Sequence, residues 1–270
     1  MASRKEQKEA ARQRRLAEER ALAERTQRRR RMQMLGGVLV AAVAIVAVAI
    51  AISAGGGSSA PVKPHSKQAT QLETQVSRFL NGIPQSGTTL GNPKAPVTVI
   101  YYGDLECPVC KAFTLGEANG GFPQLVQNDV RQGKVKVVYK SFCTATCNNH
   151  PQSVFNQQQV AAYAAGKQNL FWDYADLFYR EQQDETTNYV NTSFLDSLAQ
   201  QTPKLDLTTW QNDQKDPSLL GQVQSDESSA NQLGLSGTPT LIASGPKGEK
   251  LVNAALPAYS DLEQAIHAVS

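Results

Sequence analysis

Apolar and polar positions fall into distinct regimes along the chain. From Met32 to Val62 there is no charged residue, and MLGGVLVAAVAIVAVAIAISA (34–54) is a 21-residue, mostly apolar run. As a helix it would be about 30 Å long, enough to cross a bilayer core. SKQATQLETQVSRFL (66–80) predicts a short helix, and NGIPQSGTTLGNPKAP (81–96) is rich in turn residues. VTVIYY (97–102) is β-branched and aromatic, KVKVVYK (134–140) alternates, and TPTLIAS (238–244) forms a third apolar run. These predict three strands. The turn PKG then leads into EKLVNAA, which makes a hairpin. Between 152 and 233 the period is helical, most clearly in VFNQQQVAAYAAG and LFWDYADLFYREQ. SDLEQAIHAV (260–269) predicts a closing helix, with Ser260 and Glu263 at capping-box spacing.

Charge changes this picture at the N-terminus. The net charge of +3 hides an asymmetry: residues 1–31 hold 12 Lys/Arg against 5 Asp/Glu, and the remainder 15 against 19. RRRR (28–31) directly precedes the apolar run, so the N-terminus is expected on the cytoplasmic side and the rest outside. The run and the segment before it are longer than a cleaved signal peptide has, which argues for an uncleaved anchor. The expected organisation is a basic cytoplasmic segment (1–31), a transmembrane anchor (32–54) and a linker with a short helix (55–81). A folded domain (82–270) follows, with a helical insertion over about 150–234. The mild acidity beyond the run, with no aromatics among basic stretches, speaks against a nucleic-acid partner.

All four cysteines follow the apolar run, on the side where disulfides persist. Cys107 and Cys110 form C-x-x-C after the first strand and at the start of a helix. Pro108 suits a first helical turn. Free amides and the positive helix end there stabilise a thiolate at Cys107, while Glu106 opposes it. Cys110 lies three residues on, on the same face and within disulfide reach. Cys107 is therefore expected to be the exposed attacking sulfur and Cys110 the inner resolving thiol. Zinc is the main rival, since C-x2-C at 107/110 and C-x3-C at 143/147 offer four sulfur ligands. An oxidising exterior favours disulfides instead, and Cys143–Cys147 reads as a second, structural disulfide enclosing a small loop. A regulatory or electron-relay pair is the alternative, because strained bridges are more reducible. His150 reads as a polar surface residue, and Trp172, Tyr174, Phe178 and Tyr179 as helix core.

The order strand, GDLECPVCKAF, helical insertion, LGLSGTPTLI resembles the DsbA-like thiol–disulfide oxidoreductases of the thioredoxin superfamily, in particular their membrane-anchored bacterial members. The resemblance covers residues 82–268. It implies an α/β thioredoxin fold with an inserted helical subdomain, here preceded by a single transmembrane helix. It also implies a cis Pro239 facing the cysteine pair, with the backbone of Thr238 free to pair with an extended substrate. One position departs from the pattern: Tyr101 stands six residues before Cys107, where many members of the superfamily carry a buried acid. Asp104 is nearer in sequence to the pair.

The resemblance implies an extracytoplasmic oxidoreductase. It would donate the Cys107–Cys110 disulfide to exported cysteine-containing proteins through a mixed disulfide at Cys107. A membrane quinone-linked oxidase of DsbB or vitamin K epoxide reductase-like type would restore it. No metal or organic cofactor is needed for the exchange. A disulfide isomerase or reductase of the same fold, a zinc-stabilised binding domain, or a tethered module that binds without turnover are the other readings.

Overall fold

A computed structural model describes residues 62–270. The expected basic segment and anchor, and the linker up to residue 61, lie outside the described residues. Among the described residues, no helix is long and apolar enough to cross a membrane.

Helix α1 (Lys67–Leu80) is capped by the Ser66 hydroxyl, which accepts from the Ala69 amide at 3.1 Å. The turn-rich segment after it forms two short strands that the residue pattern did not predict, β1 (Gln85–Ser86) and β2 (Thr89–Leu90). The main strands are β3 (Val97–Gly103), β4 (Val135–Ser141), β5 (Thr240–Gly245) and β6 (Gly248–Val252). They form one sheet in the order β1-β2-β4-β3-β5-β6. Only β3 and β4 are parallel; the other neighbours are antiparallel. Between β3 and β4 lie α2 (Pro108–Leu115) and α3 (Phe122–Leu125), the latter running on into a wider turn over Val126–Val130.

The helical insertion comprises α4 (Ala145–Asn149), α5 (Gln152–Lys167), α6 (Phe171–Glu181), α7 (Thr192–Gln201), α8 (Leu207–Asp213) and α9 (Pro217–Gln232). Helix α10 (Tyr259–Val269) ends the chain. Its cap differs from the expected pair: Asp261, not Glu263, reaches back to accept from the Ala258 amide at 2.9 Å. The helix starts one residue before Ser260, which moves the capping register.

Alternation along β3 assigns the two sheet faces. Val97, Val99 and Tyr101 join the main core with Phe113, Phe122 and the aromatics of α6. Tyr102 faces the other side, against Phe142, Ile242 and Ala230 of α9. Trp172, Tyr174, Phe178 and Tyr179 are buried as expected. Tyr101 is the hub of this aromatic packing, edge-on to Phe113 at 5.2 Å and to Tyr139 at 5.4 Å. Trp172 stacks on Phe122 at 5.2 Å and anchors its indole N–H on the Thr88 carbonyl at 3.0 Å.

Gly103 ends β3 under these rings. A Cβ there would lie 2.6 Å from Tyr139 Cε2 and 3.1 Å from Tyr101 Cε2. Overpacking of this kind costs about 1–3 kcal/mol. Gly103→Ala is therefore expected to lower the melting temperature by several degrees in thermal unfolding. An unchanged midpoint would contradict the packing of Tyr139 against the strand end.

Candidate active site

Strand β3 delivers the chain to Asp104, and a tight turn follows in which the Cys107 amide donates to the Asp104 carbonyl at 3.1 Å. Helix α2 starts there. Cys107 is its N-cap with Pro108 in the first turn, and Cys107 Sγ accepts from the Cys110 amide at 3.4 Å. Cys107 thus sits one position before the helical turn in which it was expected, with its sulfur still on the helix-end amides. Across the site the Thr238–Pro239 bond is cis, and the Thr238 carbonyl accepts from the Cys107 thiol at 3.3 Å. Four separately read residues, Cys107, Cys110, Thr238 and Pro239, meet at the end of β3 and the start of β5.

The expectation that Cys107 is exposed needs correction. It is only 5 % accessible and Cys110 is 0 % accessible, because the Thr238–Pro239 turn and α6 close over the helix start. The order of access still holds: the narrow opening is on Cys107. Burial, with Cys107 adding to it, pushes the Cys110 thiol well above the ordinary cysteine range. When reduced, Cys110 is a neutral thiol.

The Tyr101 position contains no carboxylate. Its hydroxyl pairs with Thr114 Oγ1 at 3.1 Å and the Tyr179 hydroxyl at 3.4 Å. Burial raises its phenol well above the usual tyrosine range, so it is a neutral hydrogen-bonding group. The acid of the site is Asp104, which is fully buried. Its Oδ2 accepts from the amides of Thr144 and Thr146, both at 2.9 Å. Its Oδ1 accepts from the Thr146 hydroxyl at 2.6 Å, the Glu106 amide at 3.1 Å and Gln158 Nε2 at 3.3 Å. Burial raises the Asp104 carboxyl despite these donors. The carboxylate faces the Cys143–Cys147 loop, so its lone pairs are occupied away from the cysteine pair.

Cys143 and Cys147 are joined in a disulfide with Cα atoms 5.7 Å apart, whereas Cys107 and Cys110 are free thiols. Two of the four sulfurs needed for a zinc cage are therefore committed to each other. His150, expected at the surface, is buried. Its Nε2 donates to the Glu185 carbonyl at 2.8 Å and lies 3.8 Å from Glu106 Oε1. Residue patterning also did not single out Gln182, whose buried amide donates to the carbonyls of Leu105 at 2.7 Å and Cys107 at 3.2 Å. Gln158 and Gln182 carry no spacing signal: Gln158 lies in a run of three glutamines on α5, and Gln182 is the cap residue just past α6.

Glu106 changes the electrostatic argument. It is 1 % accessible, and neither carboxylate oxygen has a hydrogen-bond partner. Burial, with Asp104 and Glu185 adding to it, raises its carboxyl to about 8. At neutral pH Glu106 is mostly protonated, and the negative charge expected to oppose a Cys107 thiolate is largely absent.

A strand-led C-x-x-C facing a cis-proline turn on this sheet is the arrangement of a thiol–disulfide oxidoreductase. A family model described as thioredoxin matches residues 85–267. The probable disulfide bond formation protein D of Bacillus anthracis is 24% identical over 185 residues, covering 66% of this chain and 76% of that protein. The disulfide bond formation protein D of Bacillus subtilis (strain 168) is 27% identical over 157 residues, covering 56% and 65%. The crystal structure of oxidised BdbD from Bacillus subtilis has a TM-score of 0.56 at 22% identity, covering 69% of this chain and 97% of that one. The chain belongs to the thioredoxin family, as a DsbA-like thiol–disulfide oxidoreductase.

The raised carboxyls set a pH dependence. An unfolded Glu titrates near about 4.3. Between there and about 8 the folded state holds the Glu106 proton that the unfolded state has lost, so unfolding free energy falls as pH rises. Glu181, raised by burial to about 7, and Asp176, raised by burial to about 6, act in the same direction. The protein is expected to melt higher at pH 5 than at pH 8, and Glu106→Gln to shrink that difference. A difference of the same size in the variant would show that Glu106 is not the buried neutral acid described.

Proposed function

We propose that the chain is a membrane-tethered, extracytoplasmic oxidase that donates its Cys107–Cys110 disulfide to exported proteins. The burial of the two sulfurs carries this reading: access to Cys107 and none to Cys110. In the oxidised enzyme a substrate thiolate attacks Cys107 Sγ. The Cys107–Cys110 bond breaks, Cys110 takes the electron pair and a proton, and a mixed disulfide links Cys107 to the substrate. A second substrate thiolate then attacks the substrate sulfur and displaces Cys107. Two electrons have passed from the substrate dithiol to the enzyme, and the substrate leaves with a disulfide. The raised Cys110 thiol suits the first step, since it retains the proton it acquires.

The backbone of Thr238 is the proposed docking edge, pairing with an extended substrate segment beside Cys107. The tether rests on the uncharged run at 34–54 and RRRR before it. The names of the Bacillus relatives support the direction, disulfide formation. A membrane quinone-linked oxidase of DsbB or vitamin K epoxide reductase-like type is the proposed acceptor of the two electrons. Cys143–Cys147 is proposed as structural.

Cells expressing the full chain with Cys110→Ser provide the test. In this variant the Cys107 thiolate attacks a disulfide of an exported protein and displaces one of its thiolates, the reverse of the second step, and no Cys110 thiol is there to resolve the product. Mixed disulfides should therefore accumulate in the membrane fraction, and Cys107→Ser should yield none. External protease on spheroplasts should digest the folded domain. Adducts that survive Cys107→Ser, or a domain protected from the protease, would contradict the reading.

A further inference from the structure

Thr144 is the first residue inside the Cys143–Cys147 loop and the N-cap of α4, yet its side chain makes no capping bond. An N-cap threonine ordinarily accepts from an amide two or three residues on. Here the hydroxyl lies 2.5 Å from the hydroxyl of Thr238, 94 residues away in sequence. The backbone of Thr144 is held from two sides. Its amide donates to the buried Asp104 carboxylate at 2.9 Å, and the preceding residue is tied into the disulfide. Thr238 in turn places its carbonyl 3.3 Å from Cys107 Sγ. A closed circuit results. Asp104 shapes the turn that begins the cysteine helix, holds Thr144 by its amide, and through Thr144 holds the strand lead that faces Cys107.

We propose that Thr144 is a positioning residue for the exchange: its hydroxyl fixes Thr238, and with it the backbone edge that an incoming cysteine peptide meets beside Cys107. The peptide half of this statement rests on the oxidase reading above; the grip on Thr238 does not. Loops that accept an extended chain lose contact geometry when their ends are free to move. Leu235 packs on the cluster of Tyr102 and Ile242 with its amide on the Ala230 carbonyl at 3.0 Å, and between Leu235 and Pro239 the chain has few other ties. Leu233, Gly234 and Ser236 are exposed, and Gly237 and Thr238 are only half-buried. The Thr240 hydroxyl closes the turn locally on the Gly237 carbonyl at 2.7 Å, which shapes it without tying it to the cysteine helix. The Cys107 thiol also bonds the Thr238 carbonyl, but its proton is gone when Cys107 is in a disulfide; the Thr144 hydroxyl supplies the long-range tie that does not depend on the redox state.

Two variants separate the hydroxyl from the packing. Thr144→Val keeps the branched shape and loses the hydroxyl, while Thr144→Ser keeps the hydroxyl and loses the methyl. The full chain is assayed for oxidation of a reduced dithiol peptide, and for backbone hydrogen exchange over residues 235–240. Loss of one hydrogen bond of ordinary strength is expected to raise KM about three- to tenfold in Thr144→Val with kcat little changed. Thr144→Ser should stay within about twofold of the wild type. Exchange over 235–240 should be faster in Thr144→Val and unchanged in Thr144→Ser. Unchanged exchange in Thr144→Val overturns the proposal whatever the kinetics. Faster exchange with unchanged KM overturns it as well, since the grip would then not reach the peptide. Equal effects of the two variants would assign the role to packing. A wild type that fails to oxidise the peptide would refute the oxidase reading, and the exchange measurement alone then decides whether Thr144 holds Thr238.

Discussion

The buried carboxylate of Asp104 is the contact on which the site depends. Three stretches of chain with no sequence proximity meet on its two oxygens: the turn before Cys107, the loop closed by Cys143–Cys147, and α5 through Gln158. Each donor there is buried or nearly so, and a buried donor left unsatisfied costs about 1–3 kcal/mol. The carboxylate therefore serves as a structural node. It fixes where the helix of the cysteine pair begins, and so where the helix-end amides point. The same loop reaches Thr238 through Thr144, which brings the proline turn into one hydrogen-bonded unit with the cysteines.

Burial then divides the labour among the titratable groups. Cys110, Tyr101 and Glu106 are removed from water, and each is favoured in its neutral form. Near Cys107 the acid that retains hydrogen-bond donors is Asp104, and most of these donors lie on the side of the Cys143–Cys147 loop and Gln158. What remains directed at Cys107 Sγ is the Cys110 amide and the positive end of α2. A charged acid at the Tyr101 position would have weakened that field. An aromatic hydroxyl there fills the volume and pairs with Thr114 and Tyr179 instead.

Much of this was legible in the residues. β-branched and aromatic runs marked β3 and β5, and alternation marked β4, whose positions alternate between buried and half-buried along Val135–Ser141. Cys107 and Cys110 were recognisable from their spacing and place, and Thr238 and Pro239 from the Gly-Thr-Pro-Thr motif of a known family. The short strands β1 and β2 were hidden in a segment of turn residues, since two-residue strands carry no periodicity. The depth of Glu106 and His150 was not legible either. Both are polar and near turns, a pattern that ordinarily means surface, and only the closure of the helical insertion over the site buries them. Asp104 was noticed for its nearness to the pair, but its partners at Thr144, Thr146 and Gln158 are 40 to 54 residues away and belong to tertiary structure.

The proposed direction of exchange turns on what the helix start does for the Cys107 sulfur, at which the Cys110 amide and the positive end of α2 are directed. Stabilising the reduced form raises the reduction potential, and about 30 mV corresponds to about 1.4 kcal/mol for this two-electron couple. The most direct measurement is the equilibrium of the full chain with a series of glutathione buffers, reading the redox state of Cys107 and Cys110 by thiol labelling and mass spectrometry. A potential clearly more positive than the roughly −270 mV of thioredoxin is expected. A value at or below that figure would contradict the proposed direction and make the protein a reductant.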